Sequence, residues 1–213
     1  MLPRRSIKVV AFLLMGGAFG LAAVGAEPTY IVALGASGIH GKGVALGEAF
    51  PAQLENMLRA DGFNVQVINA GVDGDTTNGM LLRMDSVIPP GTKITIVQPG
   101  GNDFQSRKHG LTVEQHLANI EAIVGRLRAQ QIQVVLCGDN NAEAALARRY
   151  DAISLSCYDQ SHLVDGQHLD PRRPSYRRGA PLACNRGHAE AQQMIGATAL
   201  PEDALSLRGG SET

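Results

Sequence analysis

Five short apolar runs, separated by longer segments with helical patterns, constrain the fold of this chain most strongly. Strands formed from such runs are apolar on both faces, so both faces must be covered. This alternation predicts an α/β fold in three layers, α/β/α, with a parallel five-stranded sheet in the middle. The predicted strands are residues 30–34, 65–68, 94–97, 132–136 and 152–155.

One helical pattern is especially clear. Val113, Leu117, Ile120, Val124 and Leu127 recur at the spacing of a single helix face, which predicts an amphipathic helix packed on the sheet. Sheets of this kind place their sites at the carboxyl ends of the strands, so the loops after the strands are where functional residues are expected. Shorter helices are predicted for residues 52–59, 80–84 and 142–150.

Composition excludes several classes of function. Hydrophobic residues make up 44% of the 213 residues, enough for one core, and the formal net charge of −1 gives no basic field for nucleic acid. Aromatic residues reach only 4% and tryptophan is absent, which disfavours a stacking platform for single-stranded nucleic acid. Glycine is in excess, with 25 residues, and many of these follow the predicted strands.

Residues 1–26 have the organisation of an export signal. Arg4, Arg5 and Lys8 form a basic start, an apolar stretch follows, and small residues around Ala26 fit a cleavage site. The alternative, an uncleaved anchor helix, is disfavoured because the glycine-interrupted apolar stretch is short for a membrane span. We therefore expect a periplasmic or secreted protein without stable membrane insertion, and a disordered tail at residues 201–213.

Three cysteines remain after that signal. Cys157 and Cys184 lie in loop sequence and are the candidates for a disulfide, whereas Cys137 ends an apolar run and is expected to be a buried thiol. Short spacings to His162 and His188 raise the alternative of a zinc site. Because no Cys-x-x-Cys accompanies them, we expect no metal.

Residues suited to acyl transfer gather in four loop segments. Together they contain a serine, glycines that expose backbone N–H groups, an asparagine amide and an Asp-x-x-His pair. Acyl transfer needs such a set: a nucleophile, a base, a group that orients the base, and donors for the oxyanion. The segments are residues 35–43, 69–77, 99–103 and 165–168.

These four segments, in this order, resemble the blocks of the SGNH (GDSL-type) hydrolases, a family of esterases, thioesterases and carbohydrate deacetylases. The resemblance runs from about Tyr30 to His168 and more loosely to Leu200, so residues 27–200 are expected to form the hydrolase domain. It implies a flavodoxin-like fold and a reaction that needs no cofactor.

The resemblance also implies roles for individual residues. Ser37 would attack the acyl carbon, His168 would act as its base, and Asp165 would orient the imidazole. The backbone N–H groups of Ser37 and Gly74, with the side-chain amide of Asn102, would bind the oxyanion. Glycine would be needed at position 74 because a Cβ there would crowd the substrate.

The chain departs from the family pattern at three places. Ala36 replaces the usual acidic residue before the nucleophile, and Gly38 replaces the usual leucine after it. Residues 169–186, which are rich in arginine, form an insertion after the last block, and this insertion is expected to be either tied by the disulfide or disordered.

Other ionisable residues offer rival assignments. Asp159 and His162 form a second Asp-x-x-His, and Gly166 with Leu169 favours the later pair. Asp103 is expected to cap the following segment. The remaining histidines are expected at a helix start (188) or in solvated surface positions (40, 109 and 116).

The chain is thus predicted to be an exported serine esterase acting on small acyl esters or thioesters. Two alternatives within the same fold are a carbohydrate O-deacetylase that binds an acidic or acetylated glycan, and a binding protein that has lost catalysis. A dinucleotide-binding domain is disfavoured because Asn69 stands where that fold needs an acidic residue.

Overall fold

Five parallel strands form one sheet in the computed structural model, which describes residues 27–105, 110–138, 140–156 and 192–195. The strands are β1 (Thr29–Gly35), β2 (Val65–Gly71), β3 (Thr92–Gln98), β4 (Gln133–Cys137) and β5 (Ile153–Leu155). Their order is β2-β1-β3-β4-β5, the order of flavodoxin-like folds. The predicted α/β fold with a parallel five-stranded sheet is confirmed. After β1 the chain forms β2 on one side of β1, and it then crosses over to form β3 on the other side. This reversal of strand order opens a crevice at the carboxyl ends of β1 and β3.

Helices cover both faces of the sheet, as predicted. They are α1 (Ser37–His40), α2 (Phe50–Ala60), α3 (Thr77–Val87), α4 (Val113–Ala129) and α5 (Asn141–Arg149). The apolar residues of α3, α4 and α5 pack with Val32 and Leu34 of β1 on one face. Those of α2 pack with Ile31 on the other face, together with a helical turn at residues 192–195. Adjacent residues of β1 therefore belong to two separate hydrophobic cores, one on each face of the sheet. This explains why the run at residues 30–34 of β1 is apolar at every position and not only at alternate ones.

Two elements at the site differ from the prediction. The strand predicted to end at residue 68 continues to Gly71, because Asn69, Ala70 and Gly71 pair with the last three residues of β1. The predicted loop after β1 contains α1, whose first residue is Ser37. The first difference arises from pairing between strands that are distant in the sequence, and the second from local helical hydrogen bonds such as that from the Gly41 nitrogen to the Ser37 oxygen.

The cysteine prediction needs correction. Cys137, at the buried end of β4, is disulfide-bonded, whereas a free thiol was expected there. With three cysteines, the chain cannot hold within itself both a bridge at Cys137 and the expected Cys157–Cys184 bridge. Cys157 and Cys184 themselves lie outside the described residues.

The predicted signal (1–26) and tail (201–213) also lie outside the described residues. Within the part of the chain that the structure describes, none of the helices has the length and apolar character needed to cross a membrane.

Candidate active site

Ser37 lies just beyond the carboxyl end of β1, as the first residue of α1. It is half-buried, and α1 packs closely on the end of β3. A Cβ atom at Gly38 would lie 2.8 Å from both the amide nitrogen and the amide oxygen of Gln98, closer than real Cβ contacts come. These atoms are the end of a flexible side chain, so a side chain at position 38 would have to displace the Gln98 amide at the end of β3.

Gly74 lies in the loop between β2 and α3, with φ at +74°. This left-handed backbone strongly favours glycine. A Cβ at Gly74 would have no protein atom within 4 Å, so the protein itself offers no crowding at this position. From the sequence, the need for glycine is attributed to crowding of the substrate. The structure gives a second reason, the left-handed backbone at position 74.

Asn102 lies just after β3, in a 3₁₀ segment that spans Gly101–Phe104. Its side-chain Nδ2 donates to the backbone oxygen of Asp75 at 2.8 Å. A Cβ placed at Gly100 would lie 3.3 Å from this Nδ2 and 3.0 Å from the Cβ of Ala36, the neighbour of Ser37. The structure therefore brings the amide of Asn102 close to the loop that carries Ser37. An amide nitrogen carries two hydrogens, so its bond to Asp75 leaves one for a substrate.

Arg83, on α3, ties these loops together. Its Nε donates to Asp75 Oδ2 at 2.8 Å and its Nη2 donates to the backbone oxygen of Gly35 at 3.0 Å. Asp75 in turn accepts from Asn102, so one guanidinium links the ends of β1 and β2 with the segment after β3. We call residues 35–38, 72–76 and 99–102 the donor loops.

A buried charge network lies next to the donor loops, formed by Thr77, Asp103, His116 and Glu143. Thr77 donates to Asp103 from its backbone nitrogen (2.8 Å) and from its hydroxyl (2.5 Å). His116 contacts Asp103 through Nδ1 at 2.6 Å and Glu143 through Nε2 at 3.0 Å. All four residues are at most 5% exposed. Since both partners of the ring are carboxylates, the geometry fits an imidazolium that donates from both nitrogens.

The two central groups of the network have shifted pKa values. Hydrogen bonds to Asp103 and then to Glu143 raise the pKa of His116 from 6.5 to about 9, against the opposing effect of burial. Burial alone would raise the pKa of Asp103, but hydrogen bonds from His116 and Thr77 outweigh it and hold that pKa below its usual range. Asp103 and His116 therefore form a charged pair at neutral pH.

Three expectations are wrong here. His116 was expected at the surface, yet it is buried, while Val113 of the predicted apolar stripe is 57% exposed. Asp103 was expected to cap the segment after it, but its carboxylate accepts from the first N–H of the earlier helix α3. His40 is exposed, as expected.

A cavity of about 360 Å³ opens beside the donor loops, between the 3₁₀ segment and the first turns of α4 and α5. Gly100 and Gly101 form its edge next to Asn102, and Phe104 contributes an aromatic wall. His116, Glu143 and Asn140 also line it, so polar and charged groups bound part of this space.

The rest of the predicted machinery lies outside the described residues. This holds for Asp165 and His168, for the rival pair Asp159 and His162, and for His188. The insertion at residues 169–186 is also outside them. The structure therefore places Ser37, Gly74 and Asn102 on adjacent loops, and the choice of base stays a prediction.

Sequence reasoning missed Arg83 and His116 as site residues. A signal for His116 was present, because residues 116, 120, 123 and 127 share one helix face and the last three are buried apolar residues. No comparable signal marked Arg83, since its partners Asp75 and Gly35 lie in other elements.

Comparison with known proteins adds to this geometry. Residues 33–198 match the sequence profile of the GDSL-like lipase/acylhydrolase family. Esterase TesA of Pseudomonas aeruginosa is 27% identical over 97 residues, which cover 45% of this chain and 47% of that protein. The match thus spans about half the length of that relative.

Two solved structures extend the likeness over most of the chain. AlinE4, an SGNH-hydrolase family esterase, is 29% identical with a TM-score of 0.58, covering 83% of this chain and 98% of its own. The psychrotrophic esterase EstA from Pseudoalteromonas sp. has a TM-score of 0.64 at 16% identity, covering 79% of this chain and 99% of its own. At that identity EstA supports the fold alone.

Proposed function

The chain belongs to the GDSL-like lipase/acylhydrolase family, which places it among the carboxylic ester hydrolases, and we propose that it is a serine esterase cleaving small acyl esters or thioesters through an acyl-enzyme. One observation carries the proposal. The amide of Asn102 is held by Asp75 beside the loop that bears Ser37, so a hydroxyl and an oxyanion donor flank the same crevice.

In the proposed reaction, the Ser37 hydroxyl attacks the acyl carbon and its proton passes to His168, which Asp165 orients. The carbonyl oxygen takes the negative charge and accepts hydrogen bonds from the Ser37 and Gly74 backbone nitrogens and from Asn102. The imidazolium then gives its proton to the leaving alcohol or thiol, which departs and leaves the acyl group on Ser37. Water attacks this acyl-enzyme by the same path and releases the acid.

The cavity beside Asn102 supports a preference for short acyl groups. Its volume of about 360 Å³ is at the low end for ligand pockets. We therefore expect acetyl and butyryl esters to be better substrates than long-chain esters.

A fluorophosphonate probe tests the nucleophile. We expect covalent labelling of the wild-type protein and none of Ser37→Ala, with Ser154→Ala, at an exposed serine of β5, labelled like wild type. Failure to label the folded wild-type protein would contradict the proposal and favour a binding protein.

Substrate class is tested separately. Rates on p-nitrophenyl esters of increasing chain length, an acyl-CoA and an acetylated sugar should favour the short p-nitrophenyl esters. A preference for the acetylated sugar would favour an O-deacetylase instead.

We also propose that residues 1–26 direct export, on the basis of their basic start and apolar middle. In a bacterial host the protein should be recovered outside the cytoplasm without these residues. Recovery of the full-length chain in the cytoplasm would contradict this.

A further inference from the structure

His116 lines the cavity beside the donor loops and also connects these loops to two helices. Asp103, its first partner, follows Asn102 directly in a single 3₁₀ segment. That segment is closed by the bond from the Gln105 nitrogen to the Asn102 oxygen at 3.2 Å. In so short a turn, a rotation that moves the side chain of Asp103 also moves that of Asn102.

Asp103 is held from two directions. The first N–H and the hydroxyl of Thr77 fix it to the start of α3, and the hydroxyl of Thr77 also accepts from Asn119 Nδ2 of α4 at 3.1 Å. His116 holds it from α4, and the ring of Phe104 packs against the His116 ring with centroids 5.0 Å apart.

Glu143 anchors the far side of the ring. It lies in the first turn of α5, where its backbone nitrogen donates to the N-cap side chain of Asn140 at 3.0 Å. The ring of His116 therefore bridges α5 and the 3₁₀ segment. Asp103 and Glu143 are the charged groups that face the ring from these elements, and α3 contributes the uncharged Thr77, among the described residues.

From this geometry we propose that His116 is a positioning residue for ester hydrolysis: held between Asp103 and Glu143, it fixes the 3₁₀ segment so that the amide of Asn102 meets the developing oxyanion. This inference rests on the proposed function. A donor displaced by a fraction of an ångström loses much of its effect on the transition state, so the role should appear in kcat more than in KM.

The ring can bridge the two carboxylates only while both nitrogens carry hydrogens, so the role depends on pH. Deprotonation, near pH 9 by the raised pKa of His116, removes one of the two bonds. We expect kcat of the wild-type protein to fall above about pH 9 as the 3₁₀ segment loosens.

Glu143→Gln gives the sharpest test. The amide oxygen still accepts from His116, but the negative charge is gone, which lowers the pKa of His116 by roughly one unit or more. The alkaline fall of kcat should move to lower pH by the same amount, and NMR titration of the His116 ring measures that pKa independently of activity. Glu114→Gln, at an exposed carboxylate in the first turn of α4, is the matched control. It should leave the pH profile of kcat and the pKa of the His116 ring unchanged.

His116→Gln provides the second variant. It should lower kcat roughly tenfold to a hundredfold with KM within about twofold, equally for acetyl and longer acyl esters. An effect confined to KM, or one that grows with acyl length, would show that His116 acts only through the cavity it lines and would overturn the proposal.

Three outcomes separate the claims. If the ring pKa moves in Glu143→Gln and the kcat profile moves with it, the proposal stands. If the ring pKa moves while the kcat profile does not, the network is only structural and the proposal fails, although Ser37 still labels with fluorophosphonate. If the wild-type protein neither reacts with fluorophosphonate nor hydrolyses esters, the proposed function is wrong. The positioning role of His116 in ester hydrolysis is then wrong as well.

Discussion

The donor loops and the buried charge network meet at two consecutive residues, Asn102 and Asp103, and hold their groups by different means. In the donor loops, Asn102 is fixed by a neutral bond to a backbone oxygen, backed by the partly exposed ion pair of Arg83 and Asp75. In the network, Asp103 is fixed by charges that are almost fully buried. The first arrangement should determine how strongly the site stabilises charge, and the second how that stabilisation depends on pH.

The largest expected effect is a loss of catalytic rate without a loss of stability. Ser37→Ala should lower kcat by about 10⁴-fold or more, because a nucleophile cannot be replaced by the groups around it. The unfolding midpoint should stay within the small range of surface substitutions. Steady-state kinetics and urea unfolding measure the two quantities. A variant that kept more than a tenth of the wild-type kcat would contradict the assignment of Ser37.

Next in size is the loss of the side-chain donor. Asn102→Asp keeps the shape of the side chain but replaces the amide with a carboxylate, and we expect a fall in kcat of roughly 10²–10³-fold. The exposed Asn78 on α3 offers the same change away from the site, and Asn78→Asp should leave kcat unaltered. Equal effects of the two substitutions would remove Asn102 from the oxyanion hole.

The third prediction concerns stability and the network alone. The pKa of His116 is raised on folding from 6.5 to about 9, so the folded state holds this proton more tightly. The resulting stability is complete below pH 6.5 and is lost as pH rises through 9, a change of about 3 kcal/mol in the free energy of unfolding. Urea unfolding between pH 6 and 9.5 measures it.

His116→Gln should flatten this dependence, whereas His40→Gln, at an exposed histidine, should retain it. A pH dependence that survives unchanged in His116→Gln would show that other groups cause it.

The smallest effect tests the link between the donor loops. Arg83→Lys keeps the positive charge but replaces the guanidinium, which donates from two nitrogens, with a single amine. One of the bonds to Asp75 and Gly35 is therefore lost. We expect about 1 kcal/mol less stability and roughly tenfold lower kcat. Arg126→Lys, in an exposed ion pair with Asp85, should change neither quantity measurably. If the two variants behave alike, Arg83 does not organise the loops.

The same contrast explains what could be read from the sequence. Each donor loop is a contiguous motif after an apolar strand, so Ser37, Gly74 and Asn102 could be predicted one segment at a time. The network joins residues 103, 116 and 143, which come together only when α4 and α5 pack on the sheet. The position of a histidine on a buried helix face does not show whether carboxylates from other elements will contact it.

The fold was more predictable than the site because its main determinant is local. Short apolar runs between helical patterns predicted the five strands, but the residue at which a strand ends depends on the neighbouring strand. The last residues of β2 are Asn69, Ala70 and Gly71, which have weak strand preference and are kept in the sheet by pairing with β1. The disulfide at Cys137 was missed because burial at a strand end is typical of a free thiol, although burial does not exclude a disulfide.

Trapping of the acyl-enzyme tests the central claim most directly. Wild-type protein mixed with p-nitrophenyl acetate and quenched in acid within the first turnovers should carry one acetyl group, located by mass spectrometry on the peptide that contains Ser37. A burst of nitrophenol should accompany it if deacylation is the slower step. Acetyl groups found at another residue, or the same modification in Ser37→Ala, would contradict the account.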